Sequence, residues 1–146
     1  LWCGAVDAVA VTRGSTVDLL PDRPSNRLLD RWMSGPAQPV ARVLREGDVV
    51  GGFEVIETPG HTPGHIGLWR ASDRVLLIGD VLANNHPLTQ WPGLRQPAQR
   101  FTRDPALNRQ SARKLAALRP RLICFGHGPP LRDGDAFVAF IEQLPE

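Results

Sequence analysis

Residues 58–65 read Thr58-Pro59-Gly60-His61-Thr62-Pro63-Gly64-His65, and they hold two of the four histidines in the 146-residue chain. Pro59, Gly60, Pro63 and Gly64 interrupt any helical repeat, so the stretch is a stiff turn. Gly52 to Glu57 reads as a strand entering it, and Ile66 to Trp69 as a strand leaving it. A histidine on a stiff loop at a strand end suits metal binding, because little conformational entropy remains to be lost.

Working outward, two further stretches have the same form. Val75 to Ile78 is continuously apolar, is expected to be buried on both faces, and ends at Gly79-Asp80. Arg121 to Phe125 is a short strand ending at Gly126-His127. His61, Asp80 and His127 therefore each follow a glycine just past the carboxyl end of an apolar strand. Strands ending on one edge would bring the three together. Two imidazoles and a carboxylate suit zinc, iron or manganese, and an aspartate can bridge two ions. From the residues alone a second reading stays open: glycine before each position can mark nothing more than a tight turn.

Between these stretches the pattern gives a mixed α/β (α+β) chain. Val40 to Leu44 is a strand expected to join a hairpin with Val49-Val50 and Phe53 to Glu57. Ala71-Ser72-Asp73 turns a second hairpin. Residues 13–39 read as loop with a short helix over Asn26 to Met33, where Leu28, Leu29 and Trp32 share a face. Residues 83–103 read as a long loop, a feature usually tied to function. Asp104-Pro105 starts a helix with an N-cap and proline at the first position, its inner face Leu107, Ser111, Leu115 and Leu118. A last helix begins at Asp133 or Asp135 and ends near Leu144.

Composition is that of a globular protein, 42% hydrophobic and 22% charged. No apolar run nears the ~20 residues of a membrane span. The net charge of +2 comes from scattered arginines, with Lys114 the sole lysine, so neither a nucleic-acid stripe nor a membrane-binding block is present. Cys3 and Cys124 make no disulfide framework, and a reducing, cytoplasmic setting is expected.

The three motifs Thr58–Ile66, Leu77-Ile78-Gly79-Asp80 and Phe125-Gly126-His127-Gly128, in that order, resemble the metallo-β-lactamase superfamily, in particular the hydroxyacylglutathione hydrolase and lactonase branch. The resemblance implies that His61 completes the first metal site, that Asp80 bridges two ions and that His127 binds the second. It places His65 beside the site as support for the loop, with a role behind the ligands or toward substrate as the alternative. His86 matches no motif. The ions would be a pair of zincs, with iron or manganese possible. A metal-bound hydroxide would attack an ester, thioester or lactone, and Trp91, Arg95 and Phe101 would wall a pocket for a small-molecule substrate. For Trp91 and Phe101, pinning the loop to the core is an equal alternative.

The resemblance also has a gap. The family's His-x-His-x-Asp-His motif is absent, and His61, His65, His86 and His127 cannot supply it. Residues 1–146 are therefore expected to be one partial domain, the second half of an αββα sandwich. Its partner would be a missing N-terminal half or a second chain, and Leu1 in place of methionine points the same way. Val55, Leu68, Leu76 and Ile78 are expected to face that partner, and the chain alone is expected to be inactive. Two rivals remain: a truncated, metal-free module for binding or assembly, and a mononuclear-iron relative that oxidises persulfides.

Overall fold

In the computed structural model, residues 1–145 are described, except for the side chains of Leu29, Arg31 and Met33. A five-stranded mixed sheet forms the centre. Its strands are β3 (Val49–Val50), β4 (Phe53–Glu57), β5 (Ile66–Arg70), β6 (Val75–Gly79) and β9 (Leu122–Phe125), side by side in that order. Neighbours from β3 to β6 are antiparallel, and β9 lies parallel to β6. It follows that β4, β6 and β9 all run the same way, and their carboxyl ends share one edge.

Helices α3 (Pro105–Ala116) and α4 (Gly134–Glu142) pack on one face of this sheet. Asp104 accepts from the Leu107 amide at 2.9 Å, and Asp133 accepts from the Ala136 amide at 2.9 Å, so both helices start on an aspartate cap. Burial on α3 centres on Asn108, Ser111, Ala112, Leu115 and Ala116. Against them and against Phe137, Val138 and Ile141 of α4 lie Ile56, Trp69, Leu76, Ile78 and Ile123 of the sheet. Alternation along β6 is clear. Leu76 and Ile78 are fully buried, whereas Val75 and Leu77 on the opposite face are half-buried. The continuous apolar run is thus not sealed on both sides. Nor are Val55, Leu76 and Ile78 open for a partner, since all three are 0% exposed. Leu68 and Leu77, cross-strand neighbours, are among the residues left half-open on the second face, with Val75.

The remaining elements stand outside the main sheet. Strand β2 (Arg42–Leu44) leaves the expected hairpin and pairs in parallel with β1 (Trp2–Gly4), because the chain between them makes a crossover through α1 (Ala8–Arg13) and α2 (Pro24–Met33). The Leu28 and Trp32 side chains of α2 point outward, 70% and 84% exposed, contrary to the expected inner face; Leu29 lies outside the described side chains. The helix docks through polar groups instead. Asn26 donates to Pro21 O and Arg100 O, and Asp30 accepts from the Thr16 amide at 2.6 Å. Residues 83–103 are likewise more ordered than their sequence suggests. They form the hairpin β7 (Ala83–Asn85) and β8 (Pro92–Arg95), followed by a 3-10 turn at Gln99–Phe101. No helix among the described residues is long and apolar enough to cross a membrane.

Candidate metal centre

The shared edge of β4, β6 and β9 gathers His61, Asp80 and His127. His61 Nε2 lies 3.9 Å from Asp80 Oδ2, and His127 Nε2 lies 3.6 Å from Asp80 Oδ1. The carboxylate sits between the imidazoles and offers each a different oxygen. Asp80 Oδ1 is buried without a hydrogen-bond partner. A buried carboxylate oxygen is costly when unmet, so this atom calls for a donor, a water or a cation.

The glycines before these residues have specific work. Gly79 takes the left-handed φ of 53°, which turns Asp80 off the end of β6; a Cβ there would meet His65 Nε2 at 2.6 Å. At Gly126 a Cβ would stand 2.4 Å from Asp80 Oδ1, so only glycine leaves room for the carboxylate. The edge is also drawn together by main-chain bonds. The Gly126 amide donates to Gly79 O at 2.8 Å, and Asp104 donates to Gly60 O at 2.9 Å.

His61 and His65 have their tautomers set by their surroundings, whereas the His127 side chain is 71% exposed. The Thr102 hydroxyl donates to Ala98 O at 3.1 Å, so its oxygen accepts from His61 Nδ1 at 3.4 Å. The Nε2 lone pair of His61 is then free on the Asp80 side. His65 is held in the same tautomer by different partners. The Asp80 amide donates to His65 Nε2 at 3.1 Å, while Nδ1 donates to Thr58 Oγ1 at 2.7 Å. His65 has no lone pair left to offer an ion. It ties the end of β4 to the backbone of Asp80. Burial holds the pKa of both His61 and His65 below the ordinary imidazole value.

Several supporting residues carry no motif of their own. Asp7 accepts from the Gly64 amide at 2.6 Å and from the Thr62 hydroxyl, fastening the turn to the start of α1. Ser111 donates to Pro59 O at 2.7 Å from α3. Asn84 of β7, 6% exposed, donates from its amide to His127 O at 2.9 Å and from its side chain to Pro129 O at 2.8 Å. Thr58 and Ser111 could have been suspected, as polar residues in an apolar context. Asp7, Asn84 and Thr102 carried no such signal.

A cavity of about 510 Å³ opens beside the three residues, and Arg95 and Phe101 line it. Trp91 does not; its side chain is 75% exposed at the hairpin tip. His86 shapes that tip, with Nδ1 accepting from the Leu88 and Thr89 amides.

The donors fit part of a metal centre. Two ligands on one tetrahedral ion, each about 2.1 Å from it, stand about 3.4 Å apart. The two N···O separations of 3.6 and 3.9 Å are near that edge length. Among the described residues no group of three His, Cys, Asp or Glu side chains could hold an ion by itself. The chain therefore presents two donor pairs that share Asp80, and not a closed cage.

The metallo-beta-lactamase superfamily profile matches residues 5–127. The probable metallo-hydrolase YflN of Bacillus subtilis (strain 168) is 35% identical over 123 residues, covering 80% of this chain and 39% of its own length. The chain thus spans about two-fifths of that relative. Two solved structures share the fold. TTHA1623 in a di-iron-bound form has a TM-score of 0.63 at 24% identity, over 90% of this chain and 58% of that one. A beta-lactamase domain protein from Burkholderia ambifaria has a TM-score of 0.62 at 21% identity, over 97% of this chain and 45% of that one. With the profile covering most of the sequence and its strand-end residues meeting at one edge, this chain belongs to the metallo-beta-lactamase superfamily.

Proposed function

We propose that the chain supplies one side of a dinuclear metal centre in a hydrolase that opens an ester, thioester or lactone. Asp80 carries this reading: a carboxylate set between two imidazoles, with one oxygen buried and unmet. His61 and Asp80 Oδ2 would hold one ion, His127 and Asp80 Oδ1 the other. Zinc is the first candidate, with iron or manganese as alternatives. Metal bound there would polarise the substrate carbonyl and lower the pKa of a coordinated water toward neutrality.

The chain's own residues prepare the site. Thr102 keeps the His61 Nε2 lone pair available, and His65 keeps the Asp80 backbone in place. Leu82, Pro97 and Phe101 give the cavity apolar walls that take the acyl part of a substrate out of water. The ligands still lacking would come from residues outside these 146, in an N-terminal half or a second chain.

The test is made on the intact protein that carries this chain. Metal analysis is expected to find two equivalents, with hydrolysis of at least one member of a panel of aryl esters, acyl thioesters and lactones. Asp80→Ala removes a donor from both ions. It should lower metal affinity at least a thousand-fold and abolish hydrolysis. An intact protein that takes up no zinc, iron or manganese on reconstitution would defeat the reading, as would full hydrolysis by the Asp80→Ala variant.

A further inference from the structure

Arg95 is the one cation in the wall of the cavity beside Asp80. It closes strand β8 and is half-buried, with Nε donating to Gly93 O at 3.3 Å. Among the described residues no carboxylate pairs with it. The one acid in the same wall, Asp80, is set between His61 and His127. Two of the neighbouring amides are engaged with each other and with the chain. Asn85 donates to Gln90 Oε1 at 2.6 Å, and Gln90 donates to Pro87 O at 3.0 Å. The Nη groups of Arg95 thus offer a charged head without a protein partner, in a wall that also holds Leu82, Pro97, Ala98 and Phe101.

We infer that Arg95 anchors a carboxylate of the substrate, so that the cavity takes an acyl compound with an apolar body and an anionic tail. This rests on the reading of the cavity as an acyl-substrate site. A planar guanidinium matches a carboxylate in two parallel hydrogen bonds. A single cation balances a monoanion, whereas a phosphate dianion would call for a second positive group. The apolar wall strengthens the pair by excluding water from it.

The probes are phenylacetate and its neutral counterpart phenylacetamide, titrated by calorimetry into the intact protein as purified and again after chelation. Phenylacetate is expected to bind about ten- to a hundred-fold more tightly, the scale of a charge-assisted hydrogen bond. Arg95→Gln should remove that preference and leave phenylacetamide binding unchanged, while Arg95→Lys should keep part of it. Equal binding of the two probes to the native protein overturns the inference. So does a preference that survives Arg95→Gln, or one that disappears on chelation, since the carboxylate would then sit on metal. Loss of phenylacetamide binding in Arg95→Gln also overturns it, because the arginine would then be holding the cavity's shape. Binding is read without turnover, so an absence of hydrolysis with the preference intact defeats the hydrolase reading alone.

Discussion

The two walls of the cavity are held by different kinds of contact. The wall of His61, Asp80 and His127 is fastened across the chain: Thr102 to His61 over 41 residues, Asp7 to Gly64 over 57, Asn84 to Pro129 over 45. Two of its supports are sealed, Thr58 at 0% and Thr102 at 2% exposure. The opposite wall, the β7–β8 hairpin, shares the Asn84 fastening at its base but is held at its tip by its own local bonds. His86 donates to Trp91 O at 2.9 Å and accepts from Gln90 at 2.8 Å, within six residues of chain. Long-range, buried contacts fix side chains to the tolerance that metal chemistry needs. A locally closed tip can change its sequence without moving that geometry, which fits the proposed role of this wall toward substrate.

The comparison is tested hardest at His65, the buried link of the first wall. His65→Ala leaves the Thr58 hydroxyl and the Asp80 amide without their partner. The cost to folding is expected to be about 2–3 kcal/mol. On the proposed reading, metal affinity should fall about ten- to a hundred-fold, because the Asp80 carboxylate loses its backbone support. Urea unfolding and chelator competition measure the two effects. Native metal affinity in a variant that still folds would show that Asp80 is placed without His65.

What could be read in the sequence was local. A strand, a glycine and a polar residue, three times over, lie within a few positions of one another, and the Asp104-Pro105 start of α3 lies in two. That β4 and β6 end on one edge followed from hairpin turns that were also legible, whereas β9 reaches the edge through the crossover that contains α3. The supports were not, because Asp7, Asn84 and Thr102 act over distances along the chain that no periodicity records. Residues 83–95 were hidden for another reason. Asn84, Asn85 and Pro92 have poor strand propensity, and β7 is held instead by bonds from Asn84 to the loop after β9. The outward Leu28 and Trp32 show the opposite failure. An amphipathic pattern was present, but Asn26 and Asp30 decide how α2 docks.

Proton binding offers a gentler test of the same wall. Burial depresses the pKa of His61 and His65 in the folded chain, while in the unfolded chain they titrate near about 6.5. Below that pH the unfolded state takes up protons that the folded state resists. Stability is therefore complete above about pH 6.5 and falls as pH drops toward the folded values. After chelation, the urea midpoint should be flat between pH 7 and 8 and decline from about 6.5 to 5. His65→Ala should make the decline shallower. A midpoint that rises on acidification would mean that the imidazoles are charged in the folded protein.

The smallest effect is expected on the other wall, at Trp91. Its side chain is 75% exposed, and the bond that shapes the tip passes through its backbone oxygen. Trp91→Ala keeps that bond and removes a side chain that the cavity does not use. Stability should change by no more than about 0.5 kcal/mol, and metal affinity not measurably. The preference for phenylacetate over phenylacetamide should also persist, since Arg95 sits at the far end of β8 from the tip. A change of three-fold or more in metal affinity would mean that the hairpin bears on the metal wall after all. A loss of the carboxylate preference alone would place Trp91 over the substrate, closing onto a cavity from which it is turned away in this structure.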